Sequence, residues 1–257
     1  MAAKTRSELA RSGKITISRT KALLGLEAIQ RLANSHVAVF GIGGVGGYAI
    51  EVLARSGIGK LDLFDNDRVS LSNINRQIYA LMSTVGQYKV DVAEKRILDI
   101  NPDCVVKKHI MFYLPSNADS IDLTQYDYVL DCIDTMAAKQ ELIKRCTEQG
   151  IPIISSMGAA NKMDPTAFKV MDIFKTKMDP IAKIMRKKLK EAGIKKLKVV
   201  CSEEPPIKQF PNDDIADTDR DSTPNGKRAI PASNAFVPAA AGIIMGGEAV
   251  KDLILGQ

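Results

Sequence analysis

An apolar run, His36-Val-Ala-Val-Phe40, passes directly into Gly41-Ile-Gly-Gly-Val-Gly46. The run suits a buried strand, and glycines at 41, 43, 44 and 46 suit a sharp turn from that strand into a helix. Such a turn lets the backbone come close to phosphate, and the next helix aims its N-terminal N–H groups at the anion. A second apolar stretch, Leu61-Asp-Leu-Phe64, ends at Asp65. A carboxylate there can accept hydrogen bonds from ribose hydroxyls. The bland reading is a tight turn without a ligand and an Asp that caps it; an acidic residue closing the second strand argues against that. A polar cluster follows in one short loop, with Asp67, Asn73, Asn75, Arg76 and Gln77. That is more phosphate-binding chemistry than a dinucleotide requires, because Arg offers paired donors to phosphate oxygens.

Around this turn, strands and helices alternate. The pattern predicts a helix over 20–33, a strand at 36–40, a helix from the glycine turn to 56 and a strand at 60–64. A helix near 85–99 carries Val90, Ala93, Ile97 and Leu98 on one stripe and stops at Asn101-Pro102. Strands are expected at 105–111, 126–130 and 151–155, with a helix over 136–149 ended by Gly150. Strict alternation implies an α/β fold, Rossmann-like, with a mostly parallel sheet covered on both faces. Residues 1–35 read as an N-terminal arm and helix, 36–165 as the nucleotide-binding core and 166–257 as an extension.

Within that extension, 168–174 is strand-like, and Asp179-Pro180 opens a helix running to about 191. Eight basic residues fall between Lys183 and Lys198 against one acid, Glu191. Such a run is ordinarily a solvated helix face; beside a nucleotide core it suits a phosphate backbone, with Arg186, Lys187 and Lys190 on adjacent turns. The stretch 202–231 is rich in Pro, Asp, Ser and Asn and reads as a mobile loop. The apolar segment 235–255 is interrupted by Glu248, Lys251 and Asp252, within the roughly 20 residues a membrane span needs. A packed C-terminal helix is expected there instead.

The 257 residues are 45% hydrophobic, enough for one substantial core. Cys104, Cys132, Cys146 and Cys201 contain no C-x-x-C pair, so neither a disulfide framework nor a paired-cysteine zinc site is expected. A reduced cytoplasmic setting is the simplest, and the N-terminus lacks the apolar core of a leader. The net charge of +6 is compatible with a polyanionic partner.

Taken in order, Ser18-Arg-Thr20, the glycine turn, Phe64-Asp-Asn-Asp67, Ser72-Asn-Ile-Asn-Arg-Gln77, Val85-Gly-Gln-Tyr-Lys89 and Asp131-Cys-Ile-Asp134 resemble the ThiF/MoeB and ubiquitin-activating-enzyme superfamily of adenylating enzymes. Ser155-Ser-Met-Gly-Ala-Ala-Asn-Lys-Met-Asp-Pro165 and Lys175-Thr-Lys-Met-Asp-Pro180 look like the branch that dehydrates threonylcarbamoyladenosine in tRNA. The resemblance implies ATP and Mg²⁺ as cofactors, and leaves room for a monovalent cation. It puts ATP ribose on Asp65, and phosphates on Asn73, Arg76 and Lys89, with Gly41, Gly43, Gly44, Gly46, Asp67 and Gln77 completing the nucleotide site. Asp134 becomes the Mg²⁺ carboxylate, although capping the helix after it is the alternative. The same resemblance implies a homodimer in which Arg19 reaches the partner's γ-phosphate side; a disordered arm is the alternative. Arg19, Arg76, Lys89 and Asp134 are then the catalytic set.

The implied chemistry is ATP-dependent activation of a carboxylate as an acyl-adenylate. Cys132 and Cys201 are candidate nucleophiles, against a reading as inert packing. With no assured thiol, an intramolecular acceptor fits better: threonylcarbamoyladenosine beside the tRNA anticodon, cyclising on itself with loss of water. Two alternatives stay open. One is adenylation of a ubiquitin-like sulfur carrier for thiamine or molybdopterin synthesis; the other is a non-enzymatic module using a bare dinucleotide fold. A docked sulfur-transfer partner is compatible with either enzymatic reading.

Overall fold

In the computed structural model, which describes residues 17–210 and 231–256, the chain enters through two short helices, α1 (Ser18–Leu24) and α2 (Leu26–Asn34). There follow β1 (His36–Phe40), α3 (Gly46–Arg55), β2 (Lys60–Phe64), α4 (Lys89–Ile100), β3 (Val105–His109), β4 (Tyr128–Asp131), α5 (Met136–Glu148) and β5 (Ile153–Ser156). The chain closes with β6 (Phe168–Asp172), α6 (Pro180–Glu191), β7 (Lys198–Ser202) and α7 (Val237–Leu255). All seven strands share one sheet in the order β3-β2-β1-β4-β5-β7-β6, parallel throughout except for the antiparallel pair β6–β7. The expected α/β fold is therefore the observed one.

Central β1 is buried at every position and pairs on both sides, Phe40 lying opposite Phe64 and Asp131. Ile50, Leu53, Leu61 and Leu63 are fully sealed in the core beside it. Each such side chain stabilises the fold by about 1.5–3 kcal/mol relative to exposure. The expected C-terminal helix, α7, lies against α3 through two glycines four residues apart. A Cβ on Gly242 would overlap the Val45 carbonyl oxygen, and one on Gly246 would lie 2.7 Å from Val52 Cβ. Tyr128 donates to Asp252 on α7 at 2.6 Å, and Lys198 Nζ holds the same carboxylate at 2.7 Å. Among the described residues, no helix is long and apolar enough to cross a membrane.

Three local expectations change. The helix expected over 20–33 is two helices, because Gly25 adopts φ 85°, ψ 169°, a region open essentially to glycine alone. The helix expected near 85–99 starts only at Lys89. Strand β7, absent from the sequence pattern, inserts between β5 and β6 and carries the sheet well past residue 165. The arm at 1–16 and most of the loop expected over 202–231 lie outside the described residues. Both histidines converge on one fully buried carboxylate, Asp62, which also accepts from Tyr126 at 2.9 Å.

Candidate active site

The glycine turn lies at the carboxyl ends of the parallel strands, beside the reversal of strand order between β1 and β4, where sheets of this kind form their ligand crevice. Gly41 adopts φ +88°, and a Cβ there would lie 2.7 Å from the Cys132 carbonyl oxygen. A side chain on Gly46 would overlap the Gly41 carbonyl oxygen. At Gly41 and Gly46 the turn is thus pressed close to its own backbone and the end of β4 with no space for a side chain, which leaves its N–H edge for a ligand. Asp65 bolts it from the other side. The Ile42 N–H donates to Asp65 Oδ2 at 2.7 Å and the Asp67 N–H to Oδ1 at 2.8 Å. Each oxygen keeps a further lone pair for a ribose hydroxyl. Burial pushes the Asp65 carboxyl up, opposed by the Lys89 charge and these two N–H groups.

Lys89, the first residue of α4, buries its stem and holds Asp67 Oδ2 at 2.6 Å. Arg76 lies along the turn: its Cγ is 3.6 Å from where a Cβ on Gly44 would stand, and its Nη1 donates to Ser72 O at 2.7 Å and to Asn75 Oδ1 at 3.0 Å. Gln77 Nε2 sits 3.8 Å from the corresponding point on Gly43. Asn73 accepts through Oδ1 from the Ser70 N–H at 3.2 Å, closing the turn Leu71–Asn73. The fold therefore brings Gly41, Gly43, Gly44, Gly46, Asp65, Asp67, Arg76, Gln77 and Lys89 to one place. Asn73 builds the loop that carries Arg76.

Asp131, which ends β4, and Asp134, three residues beyond it, part company. Asp134 is exposed at the crevice, with no ion-pair partner among the described residues, and Thr135 occupies the cap position of α5. Its oxygens suit a hard cation held by one carboxylate together with nucleotide phosphates, the usual way Mg²⁺ is bound. Among the described residues no cluster of three acidic, His or Cys ligands exists. Asp131 turns inward. It holds Lys139 Nζ at 2.7 Å and accepts from Ser155 Oγ at 2.5 Å, while Lys139 also donates to Ser156 O at 3.0 Å. Sequence reasoning missed Lys139. The available signal was a lysine in an apolar stripe with Leu142, Ile143 and Cys146.

Arg19 is not brought to this crevice. It is exposed on α1, two residues from Ile17, whose Cγ2 lies 4.0 Å from the Cβ position of Gly57. Gly57 follows the end of α3 that faces away from the glycine turn, and a ten-residue helix is about 15 Å long. The cysteines are packing groups. Burial pushes the Cys201 thiol up to about 12, and it pushes Cys132 up as well. In the basic segment, Arg186 is turned to Thr176, donating to its carbonyl at 2.9 Å and to its hydroxyl. Lys188 donates to Gln140 and Lys198 to Asp252. Lys183, Lys187 and Lys190 remain exposed at i, i+4 and i+7 on one face of α6, so Lys183 replaces Arg186 in the expected trio. That helix starts at the crevice, since Asp179 Oδ1 accepts from the N–H groups of Gly158 and Ala182.

Comparison with known proteins agrees with the fold. A model described as the ThiF family matches residues 17–255. The chain is 49% identical over 239 residues to the tRNA threonylcarbamoyladenosine dehydratase of Bacillus subtilis (strain 168), covering 92% of this chain and 94% of that protein. The crystal structure of the Escherichia coli tRNA N6-threonylcarbamoyladenosine dehydratase in complex with AMP superposes with a TM-score of 0.82 at 32% identity, over 100% of this chain and 98% of that one. Its complex with ATP gives 0.80 at 33% identity, over 95% of each chain.

Proposed function

The chain belongs to the ThiF family, and from that premise we propose that it dehydrates threonylcarbamoyladenosine beside the tRNA anticodon, using ATP to activate the carboxylate. The observation that carries this reading is the crevice itself. A glycine turn bolted by Asp65 faces two cations, Lys89 and Arg76, and an exposed carboxylate, Asp134, in a chain similar along nearly its whole length to a dehydratase of that substrate.

A carboxylate oxygen of the threonyl group attacks the α-phosphorus of ATP, and the bond to pyrophosphate breaks. Arg76 and Lys89 offset the charge that develops on the departing group. Lys89 is held meanwhile by Asp67, an exposed partner that exchanges readily for phosphate. Asp134 would hold Mg²⁺, which would supply neutralisation of the phosphate oxygens when bound. The carbamoyl group of the same modification then closes on the acyl carbon with loss of a proton, AMP leaves, and no protein nucleophile is required, in keeping with the burial that raises the thiols of Cys132 and Cys201. The position of Arg19, at the far end of its own α3, supports a homodimer in which each Arg19 serves the other crevice. The Lys183–Lys187–Lys190 face supports backbone contact with tRNA along α6.

Incubation with ATP, Mg²⁺ and threonylcarbamoylated tRNA, followed by nucleoside mass spectrometry, tests the proposal. Loss of one water from the modified nucleoside is expected, with AMP and pyrophosphate formed in step. Pyrophosphate exchange stimulated by a protein with a Gly-Gly tail, and not by tRNA, would move the chain to sulfur-carrier adenylation.

A further inference from the structure

Among the described residues, Asn161 is the one non-glycine residue with a positive φ, 59°. That backbone region is costly for a residue bearing a Cβ, and Asn tolerates it best. A residue kept there needs surroundings that over-determine it. Those surroundings are two stretches of chain remote in sequence. The Asn161 N–H donates to Ala232 O at 2.8 Å, and its carbonyl accepts from the Ile207 N–H at 2.8 Å. Its side-chain Oδ1 accepts from the Ala232 N–H at 3.0 Å and from Gln209 Nε2 at 2.7 Å.

The fastening continues on both sides. Lys162 Nζ donates to Glu204 O at 2.7 Å, and Asn234 Nδ2 donates to Lys162 O at 2.9 Å. Asn234 Oδ1 in turn accepts from the N–H groups of Phe236 and Val237, where α7 begins. Ser233 O accepts from Asn75 Nδ2 at 3.2 Å, next to Arg76. The loop after β5 is thereby tied to the loop that carries the nucleotide-facing arginine.

Strand order gives this wall its place. Asp65 follows β2, the glycine turn follows β1, Asp134 follows β4, and the Asn161 loop follows β5, the next strand across. With ribose on Asp65 and phosphates over the turn and Asp134, the attacking carboxylate enters from the β5 side. We propose that Asn161 is a positioning residue for the tRNA-borne substrate, fixing residues 204–209 and 231–234 as the wall that holds the modified adenosine against the α-phosphate. The proposal rests on the dehydratase reading above.

The test is steady-state dehydration by the full chain, with KM for threonylcarbamoylated tRNA and affinity for ATP measured separately. Wild-type turnover of that tRNA checks the dehydratase reading by itself; the role of Asn161 is judged only on ratios to wild type. Asn161→Ala should raise the tRNA KM about tenfold, the scale of two lost side-chain hydrogen bonds. Its ATP affinity should stay within about twofold of wild type. Asn161→Asp keeps the acceptor oxygen and the tolerance for positive φ, so it should restore wild-type KM. Asn161→Gly keeps the backbone freedom without the side chain, so its tRNA KM should stay raised; it decides the matter if the Ala variant folds poorly. A Gly variant with wild-type KM would reduce Asn161 to a turn residue, and equal losses for tRNA and ATP would make its role merely structural. Either result overturns the proposal.

Discussion

At the rim of the crevice and beneath its floor, a lysine holds an aspartate at nearly the same distance, Lys89 to Asp67 at 2.6 Å and Lys139 to Asp131 at 2.7 Å. Their surroundings differ. Lys89 is 6% exposed but Asp67 is 57% exposed, whereas the side chains of Lys139 and Asp131 are 2% and 0% exposed. Water and salt reach the carboxylate of the first pair, which weakens its hold on the lysine. The second pair has left water altogether, and removing one partner strands a buried charge. The same two residue types thus serve as an exchangeable holder at the rim and as a permanent lock in the floor, joining β4, β5 and α5 behind the glycine turn.

The contrast breaks most visibly at the floor. Lys139→Met should lower the free energy of unfolding by about 3–5 kcal/mol, read from urea midpoints, because Asp131 is left uncompensated. Adding Asp131→Leu should recover most of that loss; an additive further loss would deny that the two residues act as a pair. Lys89→Ala should do the opposite. Loss of the ion pair itself should cost less than about 1 kcal/mol of unfolding free energy, since solvent takes over the exposed Asp67, and Lys89→Met, which keeps the buried stem, isolates that contribution. Turnover with tRNA should fall about 10²–10³-fold, the scale for losing one group that stabilises developing charge. Equal stability losses in the two variants would erase the distinction between rim and floor.

A third experiment asks whether the rim is complete within one subunit. Arg19→Ala and Asp134→Ala should each lack turnover while folding normally. Mixed in equal amounts with subunit exchange, they should recover about a quarter of wild-type activity, from random pairing that leaves one intact composite site in each mixed dimer. Absence of recovery would place Arg19 outside the mechanism in trans. Along α6, reversing charge at Lys183, Lys187 and Lys190 should flatten the log–log salt dependence of tRNA binding by roughly 0.7–0.9 per lost contact and leave ATP affinity unchanged. An unchanged slope would return this face to plain solvation.

The smallest effect concerns a second sealed carboxylate. Desolvation works to raise the Asp62 pKa, yet the bonds from His109, His36 and Tyr126 bring it down to about 2. Because the folded value lies below the unfolded one, Asp62 stabilises the fold above pH ~4, and that contribution is lost as pH falls toward about 2. Asp62→Asn should therefore show a shallower loss of stability over that acid interval. A parallel acid limb in both proteins would deny the linkage.

How much the sequence discloses follows the same division. The rim was legible because its chemistry is local: glycines at fixed offsets, a carboxylate closing the next strand, and Arg76 within one short loop. The floor was not, since Lys139 and Asp131 meet only after β4, β5 and α5 have packed, and a lysine in an apolar stripe looks like an ordinary helix residue. Strand β7 escaped notice because its Lys198-Val-Val-Cys-Ser202 directly follows a basic run whose charge dominates any window. Gly25 stands amid Leu23, Leu24 and Leu26, so helical periodicity passes through it, although its backbone angles end the helix. Asn161 lies in a motif the sequence singles out, but its contacts are to segments more than forty residues away, which no local pattern discloses.

The central claim, that this crevice joins a tRNA-borne carboxylate to the α-phosphorus of ATP, is tested most directly by following oxygen. With threonylcarbamoylated tRNA whose threonyl carboxylate carries oxygen-18, a single turnover with unlabelled ATP and Mg²⁺ should deliver one labelled oxygen to the phosphate of AMP. Label found in inorganic phosphate instead, or none transferred to AMP while the modification loses water, would contradict attack at the α-phosphorus.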